Sequence, residues 1–376
     1  MVGGKINITV LVAPLDWGLG HSTRCIPLVK YFQQQGCHVI LAAEGAQASL
    51  LAKEFPGVEI LPLEGYRIRY SNSKRWFSVK IITQLPKILR SINKENVWLQ
   101  QLLKRRKIDL VVSDNRYGLY SSSCTSVIIT HQLQVKAPYS WAEEWIQKVL
   151  YRYINNFSQC WVPDGEKENL AGTLSHPASL PKIPVHFIGP LSRMIDKSPL
   201  QYIYDLLVLL SGPEPQRTLL EELVIRQLPS GQKILLVRGL PHSKDELKLE
   251  TAEVVNHLAS EKLNNAISQS RVVLCRSGYS SVMDLCKLQK KAILIPTPGQ
   301  TEQEYLATYL RGKGWCLTYN QDAFNLHEAL EEAKKKNFAF PEMNMDAYQP
   351  VIDDLLSELA AAAEDEQLPL PAKQDE

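Results

Sequence analysis

Seven cysteines (Cys25, Cys37, Cys124, Cys160, Cys275, Cys286 and Cys316) are an odd set with no C-x-x-C spacing. Neither a disulfide framework nor a thiolate zinc site is indicated, and they read as buried thiols. The longest apolar runs, such as residues 8–13 and 206–210, are strand-length. A membrane-spanning helix needs roughly 20 apolar residues, so no span is expected. The N-terminus lacks the apolar core and small-residue cleavage site of a secretory signal, which leads us to expect a cytoplasmic chain. No Asp-x-Asp closes a strand and no His-x-x-x-His pair supplies ligands, so no metal site is expected. No repeat stands out at solenoid periods. What is present is an ordinary globular composition over 376 residues, 45% apolar and 22% charged, with room for two cores.

The formal charge of +2 conceals an asymmetry. Residues 1–192 carry 22 Lys and Arg against 13 Asp and Glu, whereas residues 193–376 carry 20 against 27. The excess lies in residues 67–107, where twelve basic side chains face only Glu95 and are interleaved with Tyr66, Tyr70, Trp76, Phe77 and Trp98. Such a stretch attracts phosphates or an anionic membrane surface; it also fits a solvated helix face. Its apolar positions, among them Ile88 and Ile92, suit either an amphipathic surface leaning on a membrane or packing beneath a sheet, with Pro86 kinking or splitting any helix. Nucleic acid is not an expected partner, because the second half is acidic and no recognition motif occurs.

Strand-like and helix-like segments alternate: residues 6–13, 23–35, 38–43, 46–54 and 58–62 open a β-α-β-α-β pattern, with further strands at 110–113 and 126–130. A Pro-rich stretch at 177–184 precedes a strand at 185–188, and the domain junction is placed near there. Strands at 204–210, 233–238, 272–275 and 292–296 repeat the alternation, with helices beginning near Pro215, Leu258, Ser280 and Thr301. The fold class is α/β, with two α/β domains of similar size facing across a cleft, and ligands belong at the carboxyl ends of the strands.

Four constellations carry chemistry. Trp17-Gly18-Leu19-Gly20-His21 follows the first strand and opens the first helix. Gly18 and Gly20 allow close approach of a ligand, and the helix-start amides favour a negative or polar oxygen. His21 can serve as a general base or simply cap the helix. Asp114 ends the strand Val111-Val112-Ser113; it can orient His21 or form an Asx turn. His131 ends the next strand and reads as a lining or core residue of the same cleft. The strongest signal is Cys275-Arg276-Ser277-Gly278 and the helix after it, with Asp284, followed by a strand and Pro298-Gly299-Gln300-Thr301-Glu302-Gln303. This βαβ unit can hold phosphate oxygens on its turn amides and ribose hydroxyls on Asp284.

Those last residues resemble the C-terminal donor-binding domain of the family 28 glycosyltransferases, a family of peptidoglycan-precursor N-acetylglucosaminyltransferase type. The resemblance is closest over residues 261–314 and looser across both halves. It implies a GT-B fold of two Rossmann-like domains facing across a cleft: an acceptor-binding domain over residues 1–192, a nucleotide-sugar donor domain over 193–340, and a helix at 341–360 crossing back, centred on 346–359. A disordered tail is expected at 361–376. It implies donor contacts from Arg193, Ser211, Gly212, Arg276, Ser277, Gly278, Asp284 and Gln303, with Gly18, Gly20 and His131 on the acceptor side. Asp284 stands in place of the family's ribose-binding glutamate, and Glu304 in place of a glutamine. The phosphate turn has become Ser211-Gly212-Pro213-Glu214-Pro215, whose prolines remove amide donors. His21 and Asp114 resemble the His-Asp pair of plant-type GT-B transferases.

The resulting expectation is an inverting, metal-independent transferase with no cofactor, moving N-acetylglucosamine from a UDP-sugar to a glycan or lipid-linked acceptor. It would work in the cytoplasm or at the inner face of the cytoplasmic membrane. A sugar-nucleotide 2-epimerase and a non-catalytic nucleotide-sugar-binding protein are the alternatives.

Overall fold

The computed structural model describes residues 8–67, 84–137, 139–196, 201–241 and 243–365. Within them lie two all-parallel sheets. The first holds β1 (Thr9–Pro14), β2 (His38–Ala43), β3 (Glu59–Pro62), β4 (Leu110–Asp114), β5 (Thr125–Ile129), β6 (Gln159–Val162) and β7 (Val185–Phe187), in the order β3-β2-β1-β4-β5-β6-β7. The second holds β8 (Tyr204–Leu209), β9 (Ile234–Val237), β10 (Glu253–Val255), β11 (Ser270–Cys275), β12 (Lys291–Leu294) and β13 (Leu317–Thr318), in the order β10-β9-β8-β11-β12-β13. β1 and β4 are near-continuous apolar runs buried along their length, as parallel strands covered on both faces require. Strand order reverses between β1 and β4 and again between β8 and β11, opening a crevice at the carboxyl edge of each sheet.

Helices α1 (Leu19–Gln34), α2 (Gly45–Glu54), α3 (Leu85–Leu103) and α4 (Ser140–Ile154) serve the first lobe. The second has α5 (Gln216–Ile225), α6 (Ser260–Ser268), α7 (Tyr279–Lys287), α8 (Thr301–Gly312) and α9 (Leu326–Lys335). The last helix, α10 (Tyr348–Asp365), returns to the first lobe: Tyr31 of α1 donates its hydroxyl to Asp353 at 2.8 Å and meets the Tyr348 ring edge-on. One apolar cluster runs between the lobes, joining Cys25, Leu28 and Leu191 to Tyr279, Val282 and Met283. All seven cysteines are free thiols, six of them buried and Cys124 half-buried. Among the described residues no helix is long and apolar enough to cross a membrane.

Several expectations change. β6, β10, β13, α4 and α9 were not anticipated; β10 and β13 have three and two residues, too few for any periodicity to show. Pro86 stands in the first turn of α3, where its missing N–H costs nothing, and the segment ahead of Gln84 that bears on a kinked or split helix lies outside the described residues. α10 extends to Asp365, so the first residues of the expected tail are helical, and 366–376 lie outside the described residues. Of the basic stretch, 68–83 also lie outside them. The part that is described favours packing over exposure: Ile88 and Ile92 lie against Leu15 and Tyr66, and Leu99 is fully buried.

Candidate active site

Pro14 at the end of β1 pairs with Asp114 at the end of β4, and Leu15 N–H donates to the Asp114 carbonyl at 3.0 Å. The adjoining loop turns at Gly18, whose φ of 73° suits glycine, and enters α1 so that His21 sits in the first turn above Asp114. His21 Nδ1 lies 3.1 Å from Asp114 Oδ2. One turn further on, Arg24 grips the same carboxylate with both Nε, at 2.9 Å, and Nη2. Asp114 is fully buried. Burial alone pushes its pKa up, but the charges of Arg24 and His21 outweigh that and hold it well below the usual carboxylate range. For His21, burial dominates: its pKa falls below 6.5 with Arg24 adding to the fall, although Asp114 works in the opposite sense. A neutral imidazole at neutral pH is what a general base requires.

A second histidine–carboxylate pair crosses the cleft. His131, just after β5, points Nδ1 at Arg24 Nη1 (3.3 Å) and Nε2 at Glu302 Oε1 of α8 (2.8 Å). Gln132 Nε2 donates to the other Glu302 oxygen. The His131 ring stacks on Tyr279, with centroids 4.2 Å apart, and the Tyr279 hydroxyl donates to the Pro163 carbonyl at 2.7 Å. His131 is buried at a junction between the lobes, against Arg24 of α1, Tyr279 of α7 and Glu302 of α8. Gly20 abuts Ser280 in the first turn of α7, in the direction a Cβ would take.

The residues assigned to the donor separate into two groups. Ser211 and Gly212 are exposed just beyond β8, with Gly212 at a φ of 104°. Gly278 precedes α7, and Ser277 is buried beneath it with its hydroxyl donating to the Gln303 carbonyl at 2.9 Å. Gln303 accepts the Thr297 N–H at 2.9 Å and stands beside Gly278. Thr297 itself is buried next to Gly212, with its hydroxyl unpartnered. Asp284 accepts from Ser192 Oγ at 2.6 Å, and burial raises its pKa to about 6 despite that bond and the nearby Arg193.

Two assignments need correction. Arg276 does not face the cleft: its guanidinium is buried and donates to the carbonyls of Ile295, Pro296 and Gln216, where it ties together the loops around the turn. Arg193 turns its guanidinium to Ser260 Oγ (2.8 Å) and lies 3.9 Å from Glu54 Oε1, at the seam between lobes. Glu214 folds back over the first turn of α5, accepting from Arg217 Nε and from Thr218 Oγ1 (2.7 Å). It therefore occupies the anion-attracting end of that helix itself.

Arg24 and Glu302 are the functional residues that sequence reasoning passed over. Arg24 lies three residues after His21, a spacing that puts both side chains on one helix face, so a local signal existed. Glu302 had none, because its partner His131 is 171 residues away.

Residues 224–358 match the model of the Glycosyltransferase family 28 C-terminal domain. The chain is 22% identical over 374 residues to the UDP-N-acetylglucosamine--N-acetylmuramyl-(pentapeptide) pyrophosphoryl-undecaprenol N-acetylglucosamine transferase of Glaesserella parasuis serovar 5 (strain SH0165), covering 94% of this chain and 93% of the relative. Among solved structures, the glycotransferase of kitacinnamycin superposes with a TM-score of 0.63 at 16% identity, covering 96% and 99% of the two chains. Arabidopsis thaliana UGT89C1 complexed with quercetin gives 0.62 at 13% identity, covering 94% and 99%. Acinetobacter baumannii MurG gives 0.50 at 16% identity, covering 94% and 99%. The two parallel sheets and these neighbours make the fold GT-B.

Proposed function

We propose that this GT-B chain, a UDP-sugar glycosyltransferase resembling family 28, moves N-acetylglucosamine from UDP-N-acetylglucosamine to a hydroxyl of a lipid-linked acceptor, with inversion at the anomeric carbon. The observation that carries the reading is the His21–Asp114 pair at the carboxyl edge of the first sheet. With Nδ1–H donated to Asp114, Nε2 is free to take the acceptor's hydroxyl proton. The oxygen attacks the anomeric carbon as UDP departs from the opposite face. Charge grows on the leaving phosphate, and the amides at Ser277–Gly278, the positive end of α7 and the Ser211–Gly212 turn are suited to receive it. The cationic Arg276 beneath the turn adds to that potential. On this account turnover needs neither metal ion nor cofactor and persists in excess chelator.

The acceptor side has two features that fit a lipid-linked substrate. A pocket lined by Asp16, Gly18, Leu19, Glu44, Gln47 and Arg67 opens beside the His21 loop. On α4, Trp141 and Trp145 are 71% and 54% exposed, and with Lys148 and Arg152 they form an exposed stripe at helical spacing. Trp with Lys and Arg is the composition of an interfacial surface resting on anionic lipid. We therefore place peripheral membrane contact on α4, and the chain at the cytoplasmic face of the membrane.

The test is a thermal-shift panel of UDP, dTDP, GDP, UDP-N-acetylglucosamine, UDP-glucose and NAD, followed by transfer to a polyprenyl-diphosphate-linked sugar. Stabilisation by UDP and its N-acetylglucosamine conjugate, with transfer lost in His21→Ala, is the expected result. Silence across the UDP ligands, or a shift by NAD alone, overturns the proposal.

A further inference from the structure

The segment that joins the two lobes gives a hydroxyl to the donor helix α7. Ser192 Oγ donates to Asp284 Oδ1 at 2.6 Å and accepts the Met194 N–H at 3.1 Å. We propose that Ser192 is a positioning residue for the nucleotide: it keeps the Asp284 carboxylate ionised and in one orientation, ready to accept the 2′- and 3′-hydroxyls of a ribose, so that the site prefers ribonucleoside over 2′-deoxyribonucleoside diphosphates. The inference rests on the UDP-sugar reading, with Asp284 as its ribose-binding acid.

The argument starts from donors and acceptors. A serine hydroxyl has one hydrogen, and with the Met194 N–H directed at its oxygen that hydrogen goes to Asp284. A carboxylate oxygen can accept twice, so Oδ1 retains capacity, and Oδ2 has no hydrogen-bond partner among the described residues. Enough acceptor capacity remains for both hydroxyls of a diol. Ionisation matters because a carboxylate only accepts, whereas a protonated carboxyl presents a hydrogen to a diol that needs an acceptor. Burial raises the Asp284 pKa to about 6, and the Ser192 hydrogen bond is the leading influence against that rise, ahead of the Arg193 charge. The charged and titratable groups facing Asp284 are Arg193 of the linker and Cys275 at the end of β11, with Glu54 of α2 behind Arg193 at 3.9 Å. Without the Ser192 donor the carboxyl would titrate closer to neutral pH.

Ser192 is itself held from both sides. The Leu191 N–H donates to Met283 Sδ of α7 at 3.2 Å, and the Ile195 N–H and carbonyl bond the Asn264 side chain of α6 at 2.8 and 3.1 Å. The linker around Ser192 is thus fastened to the two helices of the donor lobe that flank it, which fixes the hydroxyl against Asp284. α7 also begins at Gly278, where its amides suit a diphosphate, so one helix carries the phosphate contact and the ribose contact together.

The experiment is titration calorimetry of UDP and 2′-deoxy-UDP on the full chain, from acid to mildly alkaline pH, in the wild type, Ser192→Ala and Asp284→Ala. Both ligands carry the same diphosphate, so the ratio of their affinities cancels its ionisation and reads the ribose contact. The wild type should prefer UDP about tenfold at neutral pH, the scale of one hydrogen bond to a charged group. That preference should fade as pH falls through about 6. Asp284→Ala should abolish it. Ser192→Ala should bind 2′-deoxy-UDP as the wild type does, lose most of the preference at neutral pH, and show its remaining preference fading from a higher pH. If Ser192→Ala does not fold, Ser192→Cys, whose thiol is a weak donor, should give an intermediate ratio. An unchanged ratio in the Ser192 variant, or equal weakening of both nucleotides, overturns the positioning role and leaves Asp284 as the ribose acid. A wild type with no preference, or a preference that survives Asp284→Ala, overturns the ribose reading of Asp284, and absence of UDP binding overturns the transferase reading itself.

Discussion

Gly20 in the first turn of α1 and Ser280 in the first turn of α7 meet across the cleft with no space for a methyl group: a Cβ at Gly20 would stand 2.6 Å from Ser280 Oγ and 3.1 Å from its Cβ. Two helix N-termini from different lobes thus converge, and their positive ends face one crevice. Close approach of the lobes, more than backbone conformation, is what demands glycine at position 20.

Gly20→Ala should therefore wedge the cleft open and lower turnover about tenfold while leaving the fold intact. Ser280→Ala in the same chain removes the nearest atom and should restore part of the loss. Wild-type activity in Gly20→Ala alone would show that the lobes tolerate the extra atom without consequence.

His21→Ala should lower kcat by about 10²- to 10⁴-fold, the usual contribution of a positioned base, while UDP still stabilises the variant. Because the His21 pKa lies below 6.5, the imidazole is neutral above that limb and protonated beneath it. The kcat/KM profile should hold level at neutral pH and fall as pH drops below 6.5. Asp114→Asn removes the partner that raises the His21 pKa, so its limb should move lower still. A wild-type limb above 6.5 would contradict this electrostatic account.

Asp284 has a folded-state pKa near 6 against an ordinary value of 3.8. The folded chain thus holds this proton more tightly than the unfolded one, and the cost of ionising the carboxyl in place is absent below about pH 3.8 and complete above about pH 6. Asp284→Asn should raise Tm at pH 7, lose that advantage near pH 4, and weaken UDP binding. Scanning calorimetry at the two pH values checks the sign; a lower Tm at pH 7 would mean that the ionised form is the better packed one.

Glu214 lies over the start of α5 and competes there with any bound anion. Glu214→Ala should tighten UDP binding about two- to fivefold, the scale of a helix-end charge effect, at the cost of about 1 kcal/mol of stability from the lost contact with the first turn. Titration calorimetry measures the first and denaturant unfolding the second. Weaker UDP binding would show that Glu214 supports the turn more than it opposes the ligand.

Much of the architecture was legible in the chain itself. The apolar strands at 38–43 and 110–114 and the helices opening at Gln216, Thr301 and Tyr279 stand within a few residues of where periodicity and turn residues put them. Short strands escaped, since two or three residues such as Leu317–Thr318 carry no period and form only because β12 offers an edge. In the site, His21, Asp114 and His131 were visible as polar residues at strand ends and a helix start. Arg276 was misplaced because its position beside Ser277-Gly278 says nothing about which side of the turn its long side chain takes.

What the sequence alone determined is local: which segments are strands or helices, that the two halves repeat one βα alternation, and which polar residues reach the carboxyl edges. Those follow from side-chain period and turn chemistry, which act over a few residues. Only the tertiary structure decided that Glu302 meets His131, that Arg24 holds Asp114, that Glu214 turns onto its own helix and that Gly20 faces Ser280. The first and the last depend on how the two lobes pack across the cleft, Arg24–Asp114 on how α1 lies over the first sheet, and Glu214 on how the turn enters α5. Packing is set by the summed shape of buried surfaces, so no short stretch of the chain encodes it.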